Sequence, residues 1–135
     1  MITSTDILYE GVRHVCLHVT GEAESSEDES KALKLDISSL LKTPVPYGNP
    51  VQTVTDVTLM CASWNTTFNF VRIEWDKSGS DETILLCSGD GYRDFESFGG
   101  KHGSGGDGTN DIILTTDGGA DGDVYDIFLK FKLEF

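Results

Sequence analysis

Basic residues are scarce in this chain: Lys and Arg total 10 against 23 Asp and Glu, for a net charge of −13 and a pI near 4.3. That surplus repels nucleic acid phosphates and anionic lipid headgroups, so neither nucleic acid nor a membrane surface is expected as a partner. Long hydrophobic runs are missing, and no segment has the apolar length of a bilayer span. The stretch Met1–Glu10 carries two acidic residues and no basic, apolar and small-residue series of the signal-peptide kind. Cysteine is limited to Cys16, Cys61 and Cys87, an odd number with no CxxC or Cys/His pairing. Each lies in an apolar, strand-like segment, which predicts reduced core thiols in a chain made in a reducing cytosol. Catalytic signatures are lacking as well: no GxSxG, no HExxH, and no phosphate-cradling glycine loop leading into a helix. Carboxylate pairs arise by chance among 23 acidic residues, so a glycosidase-type pair cannot be argued from them. The expectation is a protein that is not an enzyme.

What the chain does have is alternation. Its 135 residues suit one domain spanning 1–135, and 38% hydrophobic with 24% charged residues is a globular composition. Tyr125, Ile127, Leu129, Phe131, Leu133 and Phe135 fall on one face of a strand, opposite Asp126, Lys130, Lys132 and Glu134. Phe128 is the exception. Gly11–Thr20 turns Val15, Leu17 and Val19 one way, and Lys31–Ile37 turns Leu33, Leu35 and Ile37 inward. Thr53–Trp64 and Thr67–Trp75 suggest a hairpin split at Asn65, with a bulge near Phe70 to reconcile Phe68 and Phe70 with Val71, Ile73 and Trp75. Glu82–Cys87 and Asp111–Thr116 complete the set. Ser38 could cap a short helix over Ile37–Lys42, ended by Thr43-Pro44. The fold expected is all-β: a single antiparallel β-sandwich, jelly-roll-like, of about seven or eight strands.

The connections are distinctive. Residues 22–30 hold five acidic residues and predict a solvated, mobile loop. All three prolines lie in 43–50, an extended crossing segment. Residues 1–9 are expected to form an N-terminal arm. The Gly-rich loop 99–110 belongs to a region, Gly89–Asp123, with 11 of the 15 glycines.

Candidate ligands are sparse. His14 and His18, four residues apart on a strand, stand about 13 Å from each other, too far to share a zinc ion. His102 has no visible partner. Asp107, Asn110, Asp111, Asp117, Asp121 and Asp123 offer hard oxygens of the kind calcium prefers, but their spacing departs from an EF-hand and suits Asp-Gly turns better. No cofactor is therefore expected. Trp64, Trp75, Tyr92, Phe95 and Phe98 could stack sugars or fill the core. Tyr92-Arg93-Asp94-Phe95 lies between turns, where Tyr and Arg resemble interface anchors. The candidate assembly interface is Tyr47, Trp64, Tyr92, Arg93 and Phe95.

Several phrases add a resemblance. Glu10-Gly11-Val12-Arg13-His14, Val71-Arg72-Ile73-Glu74-Trp75-Asp76 and Gly91-Tyr92-Arg93-Asp94-Phe95 are followed by Asn110–Gly118 (NDIILTTDG) and Gly122–Ile127 (GDVYDI). Together they resemble small all-β virion structural proteins of tailed bacteriophages of the marine and cyanobacterial type. The resemblance implies a head decoration (cement) protein, made in the host cytoplasm and carried in the virion. It would bind the major capsid protein or other virion proteins as a homo-oligomer on the particle. A tail, collar or adaptor component, or a carbohydrate-binding module, are the alternatives.

Overall fold

The computed structural model describes residues 1–11, 13–40, 54–103 and 107–134. The proline segment 43–50, with Tyr47, lies outside the described residues. Nine strands run in chain order among the described residues: β1 (Ile2–Glu10), β2 (His14–Glu22), β3 (Ala32–Leu35), β4 (Asp56–Thr66), β5 (Phe70–Trp75), β6 (Glu82–Cys87), β7 (Asp90–Asp94), β8 (Ile112–Asp117) and β9 (Val124–Glu134). They form a five-stranded sheet in the order β1-β2-β9-β4-β7 and a four-stranded sheet in the order β3-β8-β5-β6. Every pairing is antiparallel. Strands β2 to β9 have the order of an eight-stranded jelly roll, switching sheets at every connection except the β5–β6 hairpin, with β1 added at one edge. No helix among the described residues is long and apolar enough to cross a membrane.

The alternation places the core. Val15, Leu17 and Val19 of β2 and Ile127, Leu129, Phe131 and Leu133 of β9 are buried against Val71, Ile73, Trp75, Ile112 and Leu114 of the opposing sheet. Trp75 ties the layers together, its buried indole N–H donating to the Val57 carbonyl of β4 at 3.1 Å.

Local expectations are corrected at several points. The segments on either side of Asn65 are not a hairpin: β4 lies between β9 and β7, while β5 lies between β8 and β6 in the other sheet. Phe68 is buried at the corner between them, where the Thr66 hydroxyl accepts from its amide. Strand β5 begins only at Phe70, so no bulge is needed there. Irregularities fall instead in β4, between Leu59 and Cys61, and between Ile73 and Glu74 where β5 pairs with β6. In β3 a register shift between Leu33 and Leu35 sends Leu33 to the surface while Leu35 stays buried. The helix expected after Ile37 is a single 3-10 turn, Ile37–Ser39, capped by Asp36 rather than Ser38. Residues 1–9 are not a free arm but most of strand β1, laid antiparallel on β2. Only Cys87 is a buried thiol; Cys16 and Cys61 are half-buried on the outer side of the larger sheet.

The acidic loop is docked rather than loose. The amides of Glu29 and Lys31 donate to the hydroxyls of Thr116 and Thr115 on β8, and the Thr116 amide donates to the Glu29 carbonyl. Asp28 accepts from the Thr116 hydroxyl and the Gly119 amide. Loss of these partners would leave β8 with unsatisfied groups, so the loop acts as an irregular extension of the sheet.

Candidate docking surface on the five-stranded sheet

Side chains that alternate away from the core line up in rungs across the larger sheet. One rung runs Asp6, His18, Phe128, Ser63 and Tyr92 from β1 through β2, β9 and β4 to β7; the next runs Tyr9, Cys16, Lys130, Cys61 and Asp94. The β4 bulge makes these rungs. Val57 and Leu59 face the core, and an unbroken strand would turn Cys61 and Ser63 inward after them. The extra residue Met60 reverses the parity, burying Ala62 and turning Cys61 and Ser63 outward. Its carbonyl is taken by the Phe95 amide at 2.8 Å, which holds the bulge in place.

The outcome is an apolar hollow of about 250 Å³, lined by Cys16, Cys61, Ser63, Tyr92, Phe128 and Lys130 among others. Tyr92 and Phe128 are well exposed, an unusual state for aromatic rings on a strand face. Phe128 is held by the His18 imidazole, stacked on it with centroids 4.1 Å apart and planes within 2°. The imidazole Nε2 lies 2.6 Å from the Asp126 carboxylate, which holds the ring at its edge. A second hollow of about 290 Å³, more polar and bordered by Ile2, Thr20, Glu22, Val124 and Asp126, lies at the far end of the same face.

Charge around the first hollow is paired. Lys130 meets Glu96 at 2.8 Å, and that hydrogen bond raises the ammonium above its ordinary value. The Tyr92 phenol is pushed up by the Asp94 carboxylate nearby. Burial, then Glu96, pushes the Cys61 thiol up, so it stays protonated at neutral pH and is a poor nucleophile. Burial and the neighbouring Lys130 lower His14, keeping its imidazole neutral. The surface suits an apolar or aromatic side chain inserted from a partner, with hydrogen bonds at the rim.

No protein-family model, curated protein or solved structure matches the chain.

The expected interface residues separate. Tyr92 stands on the outer face as a wall of the hollow. Arg93 has the opposite parity, facing the side of Ala62. Trp64 also faces inward: its indole covers Gly91, where a Cβ would fall 2.5 Å from the ring, and its N–H donates to the Ser88 carbonyl. It is not a free stacking platform. Phe95 packs partly buried against the core, and its carbonyl accepts from Phe98 and Gly100 to close the turn Glu96–Phe98. Phe98, on that turn, is 83% exposed. Phe128, His18 and Cys61 join Tyr92 on the outer face although none is among the expected interface residues. Phe128 had a visible signal, since it alone breaks the β9 alternation; Cys61 had none, because a bulge decides its direction.

The other candidates serve structure. His18 is engaged by Asp126 and Phe128, and His102 Nδ1 meets the buried Thr58 hydroxyl at 3.0 Å, which also donates to Glu134 at 3.2 Å. The hydroxyl sits between acid and imidazole, so this is a tie from the Gly-rich loop to β9 rather than a nucleophile–base–acid order. Asp111 accepts from the Ile37 amide, Asn110 from Lys77, and Asp123 from Thr67 and the Ala120 amide. Among the described residues no group of three or more His, Cys, Asp or Glu could hold a metal ion.

Proposed function

We propose that this chain is a non-enzymatic structural protein of a bacteriophage virion, a head decoration (cement) protein that attaches to the assembled shell through the outer face of its five-stranded sheet. The observation that carries the reading is the aromatic-walled hollow of Tyr92 and Phe128 on a molecule whose net charge is −13. A preformed apolar site on a sheet, rather than on loops, loses little entropy on binding. Its partner is a capsid subunit, or another virion protein, that offers an apolar or aromatic anchor. Repetition around the particle would multiply a modest single-site affinity. The acidic surface would keep free copies apart in the host cytoplasm and away from packaged nucleic acid. A tail, collar or adaptor position would use the same face. Sugar binding is weakened as a reading because Trp64 faces inward.

The test is co-sedimentation of labelled protein with purified phage heads and, separately, tails. Saturation of heads that is lost in Tyr92→Ala and Phe128→Ala, with the melting curve unchanged, is expected. Binding to tails alone moves the protein to the neck or tail. Binding to neither, or undiminished binding by both variants, overturns the reading.

A further inference from the structure

Sheet edges present unpaired N–H and C=O groups, and soluble proteins blunt them by shortness, charge or cover. Three edges here are blunted. Strand β3 is four residues long and follows the exposed Lys31; β7 is five residues long with Asp90, Arg93 and Asp94. The Lys101 ammonium reaches over β6 to the Ile84 carbonyl.

Strand β1 is the least protected: its charges are Asp6 and Glu10, and its one irregularity lies near its C-terminal end. It is nine residues long, ends the order of its sheet, and pairs only with β2 among the described strands. It carries no Lys, Arg or Pro, and Ile2–Tyr9 are exposed on both faces because the smaller sheet does not reach beneath them. Its run Ile2–Ile7 is regular, with the register shift confined to the stretch between Ile7 and Tyr9.

We propose that β1 is the joint between two copies of this chain, its outer edge pairing antiparallel with the same strand of a second copy about a two-fold axis at Thr5. This inference does not rest on the virion reading. An axis perpendicular to the sheet keeps side chains on matching faces only when it passes midway between a residue and its own copy, since alternate residues point to opposite faces. Centring on Ser4 would set Ile2 against Asp6 of the second copy, and centring on Asp6 would oppose two carboxylates. Centring on Thr5 places Thr5 opposite Thr5, Thr3 opposite Ile7, and Ser4 opposite Asp6, where each hydroxyl can donate to a carboxylate. That register contains no like-charge pair and uses favourable β-branched partners. It joins the two larger sheets into one and puts both hollows on the same side, a bivalent platform. Because each copy is strongly acidic, pairing strengthens as salt screens the repulsion.

Sedimentation equilibrium of the purified chain, from about 1 to about 200 μM and at about 0.05 and 0.5 M salt, tests this. The expected mass rises with concentration to twice the 14.7 kDa of one chain, at lower concentration in high salt. Thr5→Lys and Thr5→Glu each put like charges on the axis, raising the dissociation constant about tenfold or more, and an equimolar mixture of the two restores the dimer. Circular dichroism checks that both variants fold; if either does not, the mass of the unaltered chain decides alone. A monomer throughout overturns the proposal, and so do single variants that dimerise as well as the parent.

Discussion

Asp81 shows how one nearly covered carboxylate in the connection between β5 and β6 holds two segments. It meets the Lys31 ammonium at 2.8 Å and accepts from the Lys77 amide at 2.9 Å, and these two contacts, Lys31 first, hold its carboxyl below the ordinary value. Lys31 is largely exposed, so solvent screens the ion pair and the amide bond carries much of the effect. A carboxyl with a depressed folded value stabilises the protein fully above its unfolded value of 3.8. The contribution is lost as pH falls through the folded value. Asp81→Asn is therefore expected to lower stability by about 1 kcal/mol at pH 7. Urea titrations at several pH values should show the gap between variant and parent closing below about pH 4. A gap independent of pH would contradict the assignment.

At the scale of elements, the acidic connection between β2 and β3 owes its order to a buried group of three. Lys34 Nζ lies 2.9 Å from Glu29, with both side chains nearly covered. The Tyr125 hydroxyl donates to the other Glu29 oxygen at 2.7 Å. Burial and that acceptor push the phenol well above its ordinary range. A buried pair is tolerated only when complete, because removing one partner strands the other charge out of water. Lys34→Met is expected to destabilise by about 3 kcal/mol or more, read in thermal or denaturant unfolding. Hydrogen exchange should rise first at the amides of Glu29 and Lys31. Unchanged protection there would mean the loop is held by its Thr115 and Thr116 bonds alone.

For the whole molecule, charge and shape pull in different directions. Two apolar layers close well, but a net −13 on 135 residues repels itself in the compact state. Raising salt from about 0.02 to 0.5 M shortens the screening length to a few ångströms, so the melting temperature should climb with added NaCl. Scanning calorimetry at a concentration low enough to exclude association checks this, and a flat or falling melting temperature would show that local ion pairs outweigh the net repulsion. The same field sets where contacts can form. The aromatic hollow and the β1 edge each gather several exposed apolar side chains, Tyr92 with Phe128 and Ile2 with Ile7, Leu8 and Tyr9.

Alternation in the sequence was enough to determine the class of fold and most of the core. Period-two runs at Val15–Val19, Val71–Trp75 and Tyr125–Leu133 can bury one face only as strands, and each is buried as that pattern requires. Local turn chemistry also explains why the Asp-Gly stretches serve as connections. What lay beyond the sequence was anything set by a partner strand. Whether β4 and β5 form a hairpin or cross between sheets depends on the company of β9 and β8, and residues 1–9 become a strand only because β2 offers them an edge. The direction of Cys61 and Ser63 follows from a bulge at Met60, a one-residue register choice made by β9 and by the Phe95 amide together. Sequence carries side-chain period; tertiary pairing alone carries register, and register decided which side chains form the hollow.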